Sequence, residues 1–408
     1  MEPVPFHVPT IEDADIPGVL EVLRSGWITT GARAKEFEAQ FAAYVAEESG
    51  EDVHALAVSS GTAALHLALE ASGIGPGDRV LVPVWTFTAT AEVVRYLGAD
   101  PVFCDVDGDT LNLDVRSVTR ALEALDRAEA ESIKAVMPVH VAGLACDMEA
   151  LEELACTHHW SVIDDAAHSL PTRHRGRRIG RWGRASAFSF YATKTLCTGE
   201  GGMVVTRDAD MAARMRVMRL HGINRDAFDR YRSEKPAWYY EIVAPGYKYN
   251  MGDIAAALGL SQLERIDRFR DARAAIAARY CDAFEGVDGL IAPLDAADAG
   301  DEHAWHLYTL KVEGGRAVRD RLIEELSDAK IGTSVHFIPL HMHPYWRDRY
   351  GLTDDDFPAA TRAFGEEVSL PIYPAMDDEQ IQRVCDEVPR AYRRARDHVK
   401  TKTTTSEA

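Results

Sequence analysis

Apolar residues recur at three- and four-residue spacing over Ile16–Ser25 and Ala34–Ala46, which predicts two amphipathic helices at the start of the chain. Short apolar runs then appear at His54–Val58, Arg79–Val82, Pro101–Val106, Lys134–Val139 and Ser161–Asp164. Each of the first four is followed by a helical pattern, at Thr62–Ser72, Phe87–Leu97, Val115–Ala128 and Met148–His158. Such alternation predicts an α/β fold with a mostly parallel central sheet covered on both faces by helices. In open sheets of this kind ligands bind beyond the carboxyl ends of the strands, so the strand-to-helix junctions are where chemistry is expected.

Two further strand patterns, Ala185–Phe190 and Met203–Val205, bracket Lys194. Helical periods follow at Asp210–Leu220 and Ile254–Phe284, with the aperiodic stretch His221–Glu241 between them. Strands at His306–Val312 and Ile331–Phe337, with helices at Ala317–Ser327 and Asp378–Val399, predict a smaller C-terminal α/β domain. The expected division is a large domain over 1–255, a connecting helix and small domain over 256–400, and a disordered tail over 401–408.

Composition narrows the class. The 408 residues are 46% hydrophobic and 27% charged, ordinary values for a globular chain long enough to bury a large core. The formal charge of −20 argues against nucleic acid as a partner and leaves an anionic substrate to be met by local positive groups. No apolar run approaches the roughly 18 residues that span a bilayer. The start lacks the basic and apolar regions of a secretion signal, and six cysteines are scattered without a C-x-x-C pair. A cytoplasmic protein with reduced thiols is the expectation. His336, His341 and His343 cluster, but an extended Pro-containing segment alternates its side chains and offers no three-ligand face, so no metal is expected.

The junctions carry the chemistry. Ser59-Ser60-Gly61-Thr62-Ala63-Ala64 places small residues where helix amides point outward unpaired, a ready anion site. Pro83-Val84-Trp85-Thr86-Phe87 brings two aromatics to the end of a strand, one of them suited to stack on a ring. Asp164 and Asp165 end an apolar strand just before His168, and paired carboxylates there need cations or donors. Lys194 lies between two buried-looking strands, where burial lowers an amine's pKa and makes it nucleophilic. Ser189 precedes it by five positions, and Gly201-Gly202 permits close backbone approach.

Taken together, SSGTAAL, the P-x-x-T-[aromatic]-x-x-T run from Pro83 to Thr90, DDAAH from Asp164 to His168 and the Lys194 segment resemble the DegT-type sugar-nucleotide aminotransferases. The resemblance runs from about Val19 to Val399 and implies the PLP-dependent type I aminotransferase fold, with pyridoxal 5′-phosphate (PLP) as cofactor. It implies that Lys194 carries PLP, that Asp165 partners the pyridine nitrogen, and that Asp164 aligns with the preceding acidic residue of the motif. Phe87 would stack on the ring, with Trp85 as runner-up, and His168 would lie near the phenolic oxygen. Gly61, Thr62, Ala63 and Ser189 would contact the phosphate. Asn250 or Lys248 would reach a second copy's phosphate in a homodimer with shared sites. Trp27, Thr29, His336 and His341 would lie by the substrate.

The activity implied is amino transfer from an amino acid, typically L-glutamate, to a keto sugar nucleotide, with 4-keto-6-deoxyhexose and 3-keto compounds both open. A related PLP-dependent dehydratase typically has histidine in place of Lys194, a desulfurase or amino-acid lyase would fit the fold but not the GYKYNM and HFIPLH segments, and a PLP-binding regulator without catalysis is the third rival.

Overall fold

The computed structural model describes residues 2–224, 238–296 and 301–406, so most of the aperiodic stretch 221–241 lies outside the described residues. The central sheet is built from β1 (His54–Val58), β2 (Arg79–Pro83), β3 (Asp100–Cys104), β4 (Ile133–Val136) and β5 (Ser161–Asp165). A two-strand ribbon, β6 (Arg173–His174) and β7 (Arg177–Arg178), precedes its last two members, β8 (Ala185–Ser189) and β9 (Gly202–Thr206). The order across the sheet is β1-β9-β8-β5-β4-β2-β3.

Helical crossovers connect the early strands, so β8, β5, β4, β2 and β3 pair in parallel. Only a short loop carrying Lys194 joins β8 to β9. That loop holds no crossover helix, and β9 runs antiparallel to both β8 and β1. The reversal places Lys194 at the same edge of the sheet as the carboxyl ends of β1, β2 and β5.

Strand alternation feeds a core on each face. Leu56, Val58, Val80 and Val204 pack on one side, and Ala55, Ala57, Leu81 and Val205 on the other. A third apolar cluster surrounds a small antiparallel sheet of β10 (Leu290–Ile291), β11 (Tyr308–Val312) and β12 (Glu367–Leu370).

Several sequence expectations are corrected. Ile331–Phe337 is not a strand: it makes only isolated bridges, Ile331 to Val4 and Ser334 to Ser369, because β12 occupies the place beside β11. The helix expected over Ile254–Phe284 is two, Asp253–Leu263 and Ile266–Phe284. Arg265 leaves helical geometry between them, its guanidinium drawn to Glu12 and Asp15. Val115–Ala128 also divides, because Asp126 caps a new helix reciprocally with Glu129. Phe87 precedes its helix, which starts at Ala89. The last helix continues through Ser406, so 401–406 is helical rather than a disordered tail. Among the described residues no helix is long and apolar enough to cross a membrane.

Candidate active site

A cavity of roughly 580 Å3 opens at the carboxyl ends of the strands. Its lining is best taken element by element. After β1 the chain turns into the helix Gly61–Ala71, whose N-cap Ser60 accepts a hydrogen bond from the Ala63 amide at 3.0 Å. The Ala63 amide is therefore satisfied within the chain, and Ala63 does not line the cavity. Gly61 and Thr62 do line it, and their amides have no partner among the described residues. The helix end is pressed onto β8 and β9. A Cβ on Gly202 would stand 2.5 Å from the Ser60 carbonyl, and one on Gly61 would stand 2.9 Å from the Ser189 Cβ. Glycine at both positions is what lets the Ser189 hydroxyl share a wall with the helix amino terminus, where the dipole favours an anion.

The two carboxylates ending β5 point to opposite faces, as successive strand residues must. Asp165 lines the cavity, its Oδ2 accepting from Thr90 Oγ1 at 2.8 Å and its Oδ1 from the Ala167 amide at 3.1 Å. Burial raises its pKa, opposed by those two hydrogen bonds and by the Lys194 charge. Asp164 turns away into the interior, accepting from Ser186 Oγ at 2.9 Å and from His140 Nε2 at 3.3 Å. The Cys146 amide donates to His140 Nδ1 at 3.1 Å, so Nδ1 is an acceptor and the ring proton sits on Nε2, toward Asp164.

Lys194 is held in a tight turn, its amide donating to the Tyr191 carbonyl at 2.8 Å. Withdrawal from water lowers the amine's pKa to about 8, with the Asp165 carboxylate acting in the other direction. At pH 7 about a tenth of the amine is therefore free base, far more than for a surface lysine.

Aromatic and imidazole rings form the remaining walls. Phe87 is exposed at the cavity with its ring 6.4 Å from Phe337, while Trp85 is fully buried in the core. The His168 ring stacks on Phe337 at 5.7 Å and lies 4.4 Å from His306. The Nδ1 atoms of His168 and His306 are buried without hydrogen-bond partners among the described residues. Burial, reinforced by Lys194 and neighbouring rings, drives both pKa values well down, so both rings are neutral. His336 lines the cavity too, its Nδ1 2.9 Å from Ser369 Oγ and its pKa lowered to about 4, chiefly by burial.

The remaining sequence candidates lie elsewhere. His341 is buried beside Phe357 and Thr361, outside the cavity lining, because a 3-10 turn at Leu340–Met342 rotates it away from His336. Trp27, Thr29, Lys248 and Asn250 gather instead at an edge of the molecule. Lys248 Nζ donates to Asn250 Oδ1 at 2.6 Å, Asn250 Nδ2 to Thr30 Oγ1 at 2.6 Å, and the Asp253 amide to the Thr29 carbonyl at 3.2 Å. None of the four lines the cavity of its own chain. Among the described residues no group of three or more His, Cys, Asp or Glu side chains is placed to hold a metal.

Sequence reasoning missed Phe6 and His7 as lining groups and Thr90 as a supporting one. Only Thr90 had a signal, as the final threonine of the motif that begins at Pro83.

Unpaired amides beside a serine hydroxyl, a buried carboxylate, a free amine and an exposed ring share one cavity. That donor set fits a phosphorylated pyridine aldehyde: amides for phosphate, carboxylate for ring nitrogen, amine for carbonyl.

Comparison with known proteins agrees. The model of the DegT/DnrJ/EryC1/StrS aminotransferase family matches residues 9–389. The spore coat polysaccharide biosynthesis protein SpsC of Bacillus subtilis is 46% identical over 388 residues, covering 94% of this chain and 96% of that protein. The putative sugar aminotransferase Spr1654 of Streptococcus pneumoniae, in its PMP-form, superposes with a TM-score of 0.87 at 31% identity, covering 96% of this chain and 100% of that one. Its PLP-form superposes at 0.86 and 30% identity, with 97% and 100% covered. Helicobacter pylori PseC, an aminotransferase involved in the biosynthesis of pseudoaminic acid, gives 0.84 at 26% identity, with 96% and 100% covered. The chain thus belongs to the DegT/DnrJ/EryC1/StrS aminotransferase family and is a sugar aminotransferase with pyridoxal phosphate as its cofactor.

Proposed function

We propose that the chain moves an amino group from L-glutamate to a keto sugar carried on a nucleoside diphosphate, in first place a 4-keto-6-deoxyhexose. The observation that carries this reading is the Lys194 amine, lowered to about 8, in the same cavity as the buried Asp165 carboxylate and the Gly61–Thr62 amides. Bound pyridoxal phosphate supplies an electron sink for the carbon that loses its proton. The chain's residues do the rest. Gly61, Thr62 and Ser189 bind the phosphate, and Phe87 orients the ring by stacking. Asp165, fixed by Thr90 and Ala167, holds a proton on the ring nitrogen. Lys194 would hold the cofactor's carbonyl carbon through its amine and, once displaced by the donor's amine, would carry the donor's α-proton to that same carbon. His168 sits beside these groups as a neutral donor or acceptor.

The same reading gives the edge cluster a task. Lys248, Asn250, Trp27 and Thr29 form a patch with exposed Ile28, Ile254, Ile242 and Val243 around it, apolar surface suited to a second copy of the chain. In a homodimer this edge completes the neighbouring cavity, with Lys248 or Asn250 adding polar contacts to the phosphate. Nucleotide-linked substrates place the reaction in the cytoplasm. A coupled assay with L-glutamate and a panel of 3-keto and 4-keto sugar nucleotides tests the proposal. Turnover of a 4-keto-6-deoxyhexose supports it, preference for a 3-keto compound moves the aminated carbon, and no turnover of any overturns it.

A further inference from the structure

One wall of the cavity comes from neither the strand ends nor the small sheet, but from the arm that precedes the first helix. The Val4 amide donates to the Lys330 carbonyl at 2.8 Å, and the Gly332 amide donates to the Val4 carbonyl at 2.8 Å. The approach is close: a Cβ on Gly332 would stand 2.6 Å from the Phe6 nitrogen. Two residues on, the Phe6 ring stacks on His336 with centroids 5.5 Å apart and planes at 21°. His7 Nε2 lies 3.3 Å from the carbonyl of Ala192, two residues before Lys194, and the His7 ring meets Tyr373 edge-on at 6.0 Å. Four residues of arm thus join the 330–336 segment to the turn that carries Lys194. Phe6 and His7 both line the cavity.

The bond to Ala192 fixes the chemistry of His7. A carbonyl oxygen can only accept, so Nε2 carries the proton and Nδ1 is a bare acceptor. Nδ1 makes no hydrogen bond among the described residues. Burial, the Arg273 charge and then the Lys194 charge outweigh the Ala192 bond and lower the ring's pKa to about 4. The ring is therefore neutral at neutral pH, with Nδ1 left as an acceptor. Lys194 is the one cation among the described lining residues, whereas His7, His168, His306 and His336 are four neutral imidazoles. A wall of neutral acceptors and donors with an aromatic ring beside it suits the uncharged, hydroxylated face of a sugar.

We infer that His7 is a specificity-determining residue for the sugar half of the reaction, its Nδ1 accepting a hydrogen bond from a ring hydroxyl while Phe6 covers the adjoining apolar face. This rests on the amino transfer to a keto sugar proposed above, and the two fail differently. The test uses full-length, PLP-loaded dimer as wild type, His7→Phe and His7→Gln, with each half-reaction followed separately by the cofactor's visible absorbance. L-Glutamate is the probe for the first half and dTDP-4-keto-6-deoxyglucose for the second.

His7→Phe keeps a flat ring and loses both the Nδ1 acceptor and the Nε2 donor to Ala192. It is expected to leave the glutamate half within about twofold and to raise the KM for the sugar about tenfold, the effect of one lost hydrogen bond. The second-half kcat should change much less. His7→Gln retains a donor for Ala192 and an acceptor, and should recover most of the loss. Equal losses in both halves would mean that His7 only braces the Lys194 turn, which overturns the inference, as does an unchanged sugar KM. A wild-type enzyme converted by glutamate but inert toward the sugar overturns the substrate reading and this inference together. One that glutamate does not convert overturns the donor reading alone; His7 is then judged by calorimetric binding of the same sugar nucleotide, with unchanged affinity in His7→Phe counting against it.

Discussion

The cavity and the edge cluster are built from the same kinds of residue, yet only the first gathers them around a space within its own chain. In the cavity, backbone geometry fixes every group: Asp165 ends a strand, Gly61 and Thr62 start a helix, and Lys194 sits in a turn between antiparallel strands. Each is held by hydrogen bonds or close contacts that leave its reactive atom facing one space. At the edge, Trp27, Thr29, Lys248 and Asn250 are tied chiefly to one another and to neighbouring backbone. Lys248 is exposed and lies outside the lining of the cavity in its own chain. The contrast teaches that polar groups around an enclosed volume are aimed by their own chain, while those at the apolar edge have a task only in the homodimer proposed above.

The comparison breaks first at Lys194. Lys194→Ala should lower amino transfer by at least about 10^4-fold, since it removes both the cofactor bond and the proton carrier. Cofactor retention by dialysis and phosphate analysis should show PLP still bound through Gly61, Thr62, Ser189 and Asp165. Loss of all binding would mean that the other cavity groups do not form a site.

Next in size, Asp165→Asn should slow the glutamate half-reaction about a hundredfold or more with the fold intact, because an amide cannot stabilise a protonated ring nitrogen. Asp164→Asn should cost much less, as its carboxylate faces His140 and Ser186 rather than the cavity. Stopped-flow traces of the two variants decide it, and equal losses would contradict the assignment of faces.

Mixing tests the edge. A Lys194→Ala chain and a chain altered at both Lys248 and Asn250 should each be inactive, and together should recover at most about a quarter of wild-type activity through heterodimers with one intact site. Full exchange, shown with a mass-tagged chain, and no recovery would place both clusters in service of the same chain.

The smallest effect is a shift in pH. In the PLP-free protein, labelling of Lys194 by an amine-directed reagent should reach half its maximal rate near pH 8, where the amine is half deprotonated. Asp165 pulls that value upward when ionised, so Asp165→Asn should move the midpoint lower. A midpoint near the ordinary lysine value, about 10.4, would show that the cavity does not desolvate the amine.

What the sequence revealed divides along the same line. The junction motifs were legible because each lies within a few residues of a strand end, and strand and helix periods locate strand ends. Phe87, Asp165, Ser189 and Lys194 therefore lie where local pattern puts them. The other walls come from distant chain. His7 and Ala192 are 185 positions apart, and no periodicity links them. His341 was misjudged for the opposite reason: closeness to His336 in sequence does not survive the turn at Leu340–Met342. The break at Arg265 was hidden because helical spacing continues through it, while the ion pairs with Glu12 and Asp15 that bend the chain are tertiary.

The account stands on the covalent role of one side chain. Borohydride reduction of the PLP-loaded enzyme, followed by proteolysis and mass spectrometry, should place the phosphopyridoxyl label on Lys194 alone. A label on Lys248, at the exposed edge, or on Lys134 would contradict it.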